Sequence, residues 1–335
     1  MHIIAKLSTI ESMNKETTRK IGLYAAAVAG FVACYFVAIY VFVFVPTFGR
    51  AKPLSVQKEL THFIGEENYL RNKEDTEWFM ASVPIRLELN SYDGLKLVAL
   101  FLPAADAKGT VLMMHGFHSA PLRDFATLAR FYNGLGYNVC LPYQRAHGES
   151  EGKYITFGIK ERFDCRDWIL KIDDMFDGSL PIFVTGISMG CATVVMASGF
   201  EGLPLNLRGF IADCGYTVPK EMILFELTHK YRLPSALAKL ISSTGGMYCK
   251  WFAGFALDEY TTFDALKVNR RPMLFIHGTE DARVPISMTL ANYEVCSQPK
   301  ELFLADGAIH AISCLQQEER YNKRVKDFLN LYGAR

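Results

Sequence analysis

The sequence lacks the features of several large protein classes. Its 36 basic and 35 acidic residues leave a formal net charge of +1, and no sustained basic stripe is present. No nucleic-acid partner is therefore predicted, because nucleic-acid binding relies on clustered positive charge. No heptad run or internal repeat occurs, so a coiled coil and a repeat array are not predicted either.

Disulfide and metal motifs are also missing. None of the eight cysteines forms a CxxC pair, and the HExxH motif of zinc proteases is absent. Scattered cysteines are typical of reduced, buried thiols rather than of a disulfide framework. His115 and His118 form an HxxH pair, but no third ligand lies nearby in the sequence. We therefore predict neither a metal nor another cofactor.

Long apolar sequence, by contrast, is abundant. Half of the 335 residues are apolar, and positions 21–45 contain no charged residue. As a helix this stretch is about 37 Å long, enough to cross a hydrocarbon core of about 30 Å. We predict a cytoplasmic segment at 1–20 and a single transmembrane helix at 21–45 in contact with the lipid bilayer. A cleaved signal peptide is the alternative, although its apolar region is usually shorter.

The charges that flank this helix predict its orientation. Lys15, Arg19 and Lys20 precede it, whereas Arg50 and Lys52 follow it. The small excess before the helix favours a cytoplasmic N-terminus and an extracytoplasmic domain. The scattered cysteines, typical of a reducing compartment, favour the opposite orientation.

Beyond a predicted connector at 46–82, the sequence alternates between strand and helix patterns. A hairpin-like opening from Val83 is followed by short apolar runs, which helical patterns separate. This alternation predicts a parallel sheet with helices on both faces, whose ligands bind at the carboxyl ends of the strands. The runs lie at 110–115, 137–142, 181–186, 209–214, 272–278 and 301–305.

The alternation of strand and helix patterns is interrupted between the fourth and fifth of these apolar runs. More than fifty residues rich in Leu, Met, Phe and Trp lie there, too many for one crossover. We interpret 216–265 as a helical cap above the strand ends and expect an apolar substrate pocket beneath it.

The stretch Gly186–Gly190 reads GISMG and lies between a predicted strand and a predicted helix. In such a turn the flanking glycines allow close approach of the neighbouring elements, and the serine side chain projects at the helix N-terminus. Ser188 is therefore the candidate nucleophile. The structural alternative is a serine that serves only the turn.

A serine nucleophile needs a histidine base and an acid that orients it. Of the three later histidines, His229 lies in the predicted cap and His277 inside a strand end. His310 lies in a loop after the last predicted strand, so it is the candidate base. Glu280 and Asp281 are both candidates for the acid, because the same loop carries them.

An oxyanion hole is also required, usually formed by two backbone N–H groups. Met189 follows the nucleophile and supplies the first. The loop HGFHS after an earlier strand supplies the second, and we predict the N–H of Phe117. His115 is expected to hold this loop, and His118 to line the pocket.

Together these motifs resemble the α/β-hydrolase superfamily from Val83 to the C-terminus. The nearer resemblance is to bacterial membrane-anchored serine aminopeptidases and esterase-like hydrolases. It rests on the GISMG turn and on MHGFHS, YQRAHGESEG, IADCGYT and HGTEDARVP. The resemblance implies an α/β-hydrolase domain at 83–335 and favours Asp281 as the acid. Tyr143 and Ile309 depart from the usual residues, an aspartate and a glycine.

The same resemblance implies a bracing role for the RAHGES segment. Arg145, His147 and Ser150 are expected to support loops near the site rather than to take part in chemistry.

The leading hypothesis is a membrane-anchored serine hydrolase that cleaves a carboxylic ester with an apolar or acyl part. A peptidase, thioesterase or acyltransferase would use the same triad, so an amide substrate is an alternative. A non-catalytic membrane-anchored binding protein is the alternative of another class.

Overall fold

The computed structural model describes residues 2–52 and 64–333. The middle of the predicted connector, 53–63, lies outside the described residues, as do Met1 and 334–335. One sheet of eight strands organises the described part, in the order β1-β2-β4-β3-β5-β6-β7-β8. The strands are β1 Ile85–Asn90, β2 Lys96–Leu102, β3 Thr110–Met114, β4 Asn138–Pro142, β5 Ile182–Ile187, β6 Leu207–Asp213, β7 Met273–Gly278 and β8 Lys300–Ala305.

Only β2 runs against its neighbours; β3 to β8 are parallel. The predicted hairpin is β1 and β2, and each predicted apolar run becomes a strand. Alternate side chains of a strand point to opposite faces, and in β5 both faces are buried. Because β3 to β8 are parallel, their carboxyl ends meet at one edge of the sheet, where the candidate residues follow them.

Helices cover both faces of the sheet and create two apolar cores. Phe125, Tyr132 and Phe328 fill the core on one face, and Trp168 and Val194 that on the other. The helices beyond the connector are α4 Pro121–Gly134, α5 Glu161–Met175, α6 Met189–Ala197, α7 Pro219–Phe225, α8 Ser235–Tyr248, α9 Thr262–Val268, α10 Ile286–Val295, α11 Ser313–Gln316 and α12 Glu318–Gly333.

The apolar N-terminal sequence forms one long helical element. Helix α1 (His2–Ile39) continues through a π-helical turn, Tyr40–Phe44, into α2 (Val45–Phe48). By length and composition alone, Glu16–Phe48 is suited to cross a membrane, with a mean hydropathy of 2.5. The helix does not separate from the domain at residue 45, because Phe44 and Phe48 are buried in the domain.

The described part of the connector also packs on the domain. It forms helix α3 (Glu66–Ala81), whose Phe79 is fully buried in the core beside α4. Arg71 of this helix donates two hydrogen bonds of 2.6 Å to the Glu318 carboxylate of α12. A bidentate pair of this kind sets the orientation of the helix.

The insertion between β6 and β7 is helical. It contains α7, α8 and two π-helical turns, Glu226–Lys230 and Cys249–Ala253. These elements share a third apolar cluster with the end of the N-terminal helix and with Met189. The predicted cap reached residue 265, but α9 packs in the layer of α6, where Leu266 is buried.

Candidate active site

Ser188 occupies a strained turn between β5 and α6. Its φ is +56°, a value that non-glycine residues seldom adopt. An added Cβ at Gly186 would overlap the Gly190 carbonyl, and one at Gly190 would overlap the Met114 carbonyl. The Ser188 N–H donates to the carbonyl of Asp213 over 3.0 Å. The two glycines and the neighbouring strand therefore hold the serine at the strand end.

The structure brings the three predicted side chains together. His310 Nε2 lies 2.9 Å from Ser188 Oγ, and His310 Nδ1 lies 2.6 Å from Asp281 Oδ2. Because the carboxylate only accepts, Nδ1 carries the hydrogen and Nε2 is left to accept from the serine hydroxyl. This is the tautomer that a general base requires.

The loop after β7 separates the two candidate acids. Glu280 is exposed, whereas the Asp281 side chain is fully buried. Asp281 Oδ1 accepts the backbone N–H groups of Arg283 and Val284 at 2.8 and 2.9 Å. The Asp281 carboxylate is thereby held in one orientation, with its second oxygen facing His310.

A second histidine touches the same acid. His277 is completely buried, and its Nε2 lies 3.3 Å from Asp281 Oδ2 and 3.0 Å from the Val284 carbonyl. Its Nδ1 lies 2.7 Å from the Thr289 hydroxyl. Burial raises the pKa of Asp281, but the hydrogen bonds from His277 and His310 outweigh it and hold this pKa well below the usual range. Asp281 is therefore ionised at neutral pH.

The loop with the predicted oxyanion donor reaches the serine. An added Cβ at Gly116 would lie 3.6 Å from the Cβ of Ser188. The Gly116 N–H donates to Asp124 Oδ2 over 2.7 Å, and Ser119 Oγ donates to the other oxygen of Asp124. Met189 is the first residue of α6, so its N–H needs no intrahelical acceptor and is available to a ligand.

The sequence did not predict that Asp124 would hold the HGFHS loop. It lies in the first turn of α4, where an acidic side chain has the ordinary explanation of a favourable helix-dipole interaction. Nothing in the local sequence indicated that it would accept hydrogen bonds from the preceding loop.

The two histidines of the HGFHS loop differ in burial and in their contacts. His115 is fully buried, with Nδ1 2.8 Å from the Gly116 carbonyl and Nε2 accepting the Gln144 N–H over 3.1 Å. It holds the loop, and burial lowers its pKa. His118 is half-buried, and its ring stacks edge-on against Phe117 at 4.2 Å.

The RAHGES segment forms a buried brace. Arg145 pairs with Asp164 at 2.6 Å and with Asp93 at 2.9 Å. Ser150 Oγ accepts the Val98 N–H over 2.9 Å. Burial lowers the pKa of His147 well below its ordinary value, so this residue is neutral at pH 7.

Two further buried groups, which the sequence did not predict, lie beside Ser188, Asp281 and His310. Burial raises the pKa of Asp213 to about 6, although His277 and His310 act in the opposite direction. Cys214 offers its Sγ within 4.8 Å of the nearest Asp281 and His310 ligand atoms. Burial and Asp213 raise the pKa of this thiol well above its usual value, so it stays protonated.

The end of the N-terminal helix lies against the same region. Phe48 packs on Phe157 with ring centroids 5.4 Å apart, and Phe157 packs on Phe117 at 4.9 Å. Arg50 donates to the carbonyls of Ser150, at 2.7 Å, and Gly152, at 3.2 Å. The helix end is thereby joined to two loops beside the serine.

No family model matches the chain. The uncharacterized protein YqkD of Bacillus subtilis is 28% identical over 253 residues, which cover 72% of this chain and 81% of that protein. The alpha/beta hydrolase domain-containing protein 17B of Xenopus tropicalis is 24% identical over 265 residues, 77% of each chain.

Among solved structures, the esterase Pf2001 of Pyrococcus furiosus superposes with a TM-score of 0.62 at 22% identity. The match covers 74% of this chain and 91% of the esterase. At this identity the likeness speaks for the fold. The α/β-hydrolase fold predicted from the motifs is confirmed.

Proposed function

We propose that this member of the α/β-hydrolase superfamily is a membrane-anchored serine hydrolase that cleaves carboxylic esters with an apolar acyl part. The observation that carries the proposal is the hydrogen-bonded chain from Asp281 through His310 to Ser188. Three residues distant in sequence converge in the order and tautomer that acyl transfer needs. A fold shared with a solved esterase supports an ester substrate.

In the proposed reaction, Ser188 Oγ attacks the ester carbonyl while His310 Nε2 takes its proton. The N–H groups of Met189 and Phe117 donate to the oxyanion of the tetrahedral intermediate. His310 then protonates the departing alcohol, which leaves an acyl group on Ser188. Water, deprotonated by His310, attacks this acyl-enzyme and releases the acid, and Ser188 regains its proton.

Asp281 supports each step by its charge and position. Its ionised carboxylate keeps the hydrogen of His310 on Nδ1 and offsets the positive charge that the imidazole gains. The lowered pKa of Asp281 means that this charge persists well into acidic solution.

The surroundings of Ser188 support an apolar acyl part. The third apolar cluster brings Met189, Phe157 and Phe255 together with the insertion and with Phe48. Phe117 is 37% exposed beside this cluster. An acyl chain that contacts these side chains would bury apolar surface, worth about 25 cal/mol per Å².

Membrane anchoring is proposed through helix α1. Its described apolar side chains up to Val32 are largely exposed, with Phe31 at 77%, which is unfavourable in water and favourable in lipid. The charges around the span favour a cytoplasmic N-terminus. Protection of the domain from protease added outside intact cells would contradict this orientation.

The hydrolase proposal is tested with a fluorophosphonate probe, which reacts with activated serines. The full chain should be labelled at Ser188, and Ser188→Ala should lose all labelling while its thermal unfolding stays close to that of the wild type. Absence of labelling in the wild-type protein, under conditions where a related esterase reacts, would refute the proposal.

A further inference from the structure

The insertion carries an exposed apolar surface beside the N-terminal helix. We define the insertion face as Leu237, Leu240, Trp251 and Phe252, which are 41%, 52%, 69% and 48% exposed. Leu237 and Leu240 lie three residues apart on α8 and so share one side of the helix. Exposed apolar residues scattered singly are ordinary, but four of them on one helix and the turn that follows it indicate an interaction surface.

Contacts between the insertion and the N-terminal helix show which part of that helix lies beside the insertion face. Tyr35 Oη and Thr244 Oγ1 are 2.9 Å apart, and Tyr248 Oη donates to the Phe36 carbonyl over 2.8 Å. Tyr40 stacks edge-on against Phe252 at 5.3 Å. Helix α8 and the turn that follows it therefore lie beside residues 35–40 of the N-terminal helix.

The rise along α1 then gives the depth of the insertion in the bilayer. The rise from Ile21, which follows the last charged residue before the span, to Tyr35 is about 21 Å. A hydrocarbon core is about 30 Å thick, and tilting the helix only shortens the projected rise. Thr244 and Tyr248 therefore lie at hydrocarbon depth whenever the span begins at Ile21.

Charge around the face matches a lipid surface. From Leu227 to Leu257 the sequence has no acidic residue and four basic ones. Lys230, Arg232, Lys239 and Lys250 are all exposed, although Lys230 pairs with Glu226 at 3.3 Å. Apolar side chains flanked by lysine and arginine are typical of helices that lie in the headgroup region of a bilayer.

We propose that the insertion face is a second membrane contact, immersed in the leaflet at the C-terminal end of α1 with its basic residues among anionic headgroups. The inference rests on the membrane anchoring in the proposed function. The buried side of the same insertion, including Ile241 and Tyr248, packs in the cluster that contains Met189. The Met189 side of the site is therefore adjacent to the proposed membrane contact, and the substrate class that fits this position is an acyl ester that resides in the membrane.

Trp251 is the reporter for the test. The full chain is placed in phospholipid nanodiscs whose acyl chains carry bromine, a short-range quencher, near the headgroups. The protein has three tryptophans, so the Trp251 signal is the difference between wild type and Trp251→Phe. We expect this signal to fall about twofold relative to unbrominated discs, as for a side chain at the headgroup–acyl boundary. An unchanged signal would overturn the inference.

A matched control places the reporter on another exposed apolar position. Leu205 is 86% exposed in the segment just before β6, at the opposite end of the strands from Ser188. In the Trp251→Phe background, Leu205→Trp should show no bromine quenching. Equal quenching at Leu205 and Trp251 would mean that the effect does not report the insertion face, and would also overturn the inference.

Two readouts on the same discs separate this inference from the proposed function. Flotation with the lipid tests the anchor, and fluorophosphonate labelling tests Ser188. Flotation without Trp251 quenching overturns the second contact alone. Quenching without labelling supports the second contact and refutes the hydrolase. Loss of flotation overturns both the anchor and the second contact.

Discussion

The strand edge around Ser188 and the insertion face beside helix α1 are held by opposite kinds of contact. At the strand edge, short directional hydrogen bonds position each group, and the Asp281 side chain is fully buried. At the insertion face, the apolar side chains stay exposed and only a few hydrogen bonds join α8 to α1. The buried side of the insertion and the strand edge meet in the apolar cluster that contains Met189.

The difference fits the role that is proposed for each region. Proton transfer in the proposed reaction depends on distances and angles that a small displacement disrupts. Contact with lipid depends on apolar area and depth, which tolerate changes of side-chain shape. Substitutions at the strand edge should therefore act on turnover, whereas those at buried positions near the end of the N-terminal helix should act on stability.

Replacing the base should have the largest effect. His310→Ala removes the group within reach of Ser188 Oγ, and kcat for a p-nitrophenyl ester should fall by about 10⁴- to 10⁶-fold. His229→Ala is the control, because that histidine is exposed in the insertion and stacks on Phe225. Near-normal turnover by His310→Ala would remove it from the base role.

Altering the acid should come next. Asp281→Asn keeps the shape but removes the charge that selects the His310 tautomer, so kcat should fall by about 10⁴-fold. Glu280→Gln changes the neighbouring exposed carboxylate and should leave kcat within a few-fold of wild type. If the Glu280 variant lost more activity than the Asp281 variant, the assignment of the acid would be reversed.

The smallest expected effect concerns the end of the N-terminal helix, which packs in the same apolar cluster as the insertion. Phe48→Ala removes an aromatic ring from a residue that is only 1% exposed. The substitution should lower the free energy of unfolding by about 3 kcal/mol, because it leaves a cavity. Phe42→Ala is the matched control, because Phe42 is 78% exposed. Thermal unfolding in one detergent compares the two variants. Equal destabilisation by both would show that the buried and exposed positions at the end of the N-terminal helix are not held differently.

Local pattern was sufficient to predict the turn that presents Ser188. A strand, then glycine, serine and glycine, then a helix make a turn that projects the serine, and each part is visible in consecutive residues. The structure adds the reason for each glycine, since an added Cβ at Gly186 or Gly190 would overlap backbone. The alternation of apolar runs and helices likewise predicted the sheet and both helical layers.

Pattern alone did not separate the two candidate acids or predict their surroundings. Glu280 and Asp281 are adjacent carboxylates on one loop, and the residues themselves left both open. Only the path of the chain after β7 buries Asp281 and leaves Glu280 in solvent. The predicted position of His277 inside a strand end did not indicate its contact with Asp281, because that contact depends on how the loop folds back on the strand.

The N-terminal helix shows the same division. Its composition determines that it is apolar and long enough to span a bilayer, since hydropathy is a sum over consecutive residues. That its last turns pack on the insertion was decided by contacts such as Tyr35 with Thr244, which are 209 residues apart in the chain. By itself the sequence determined the elements and the serine turn through local rules of backbone and hydropathy. The tertiary structure decided which acid faces His310 and where the helix meets the domain, because both depend on residues brought together only by folding.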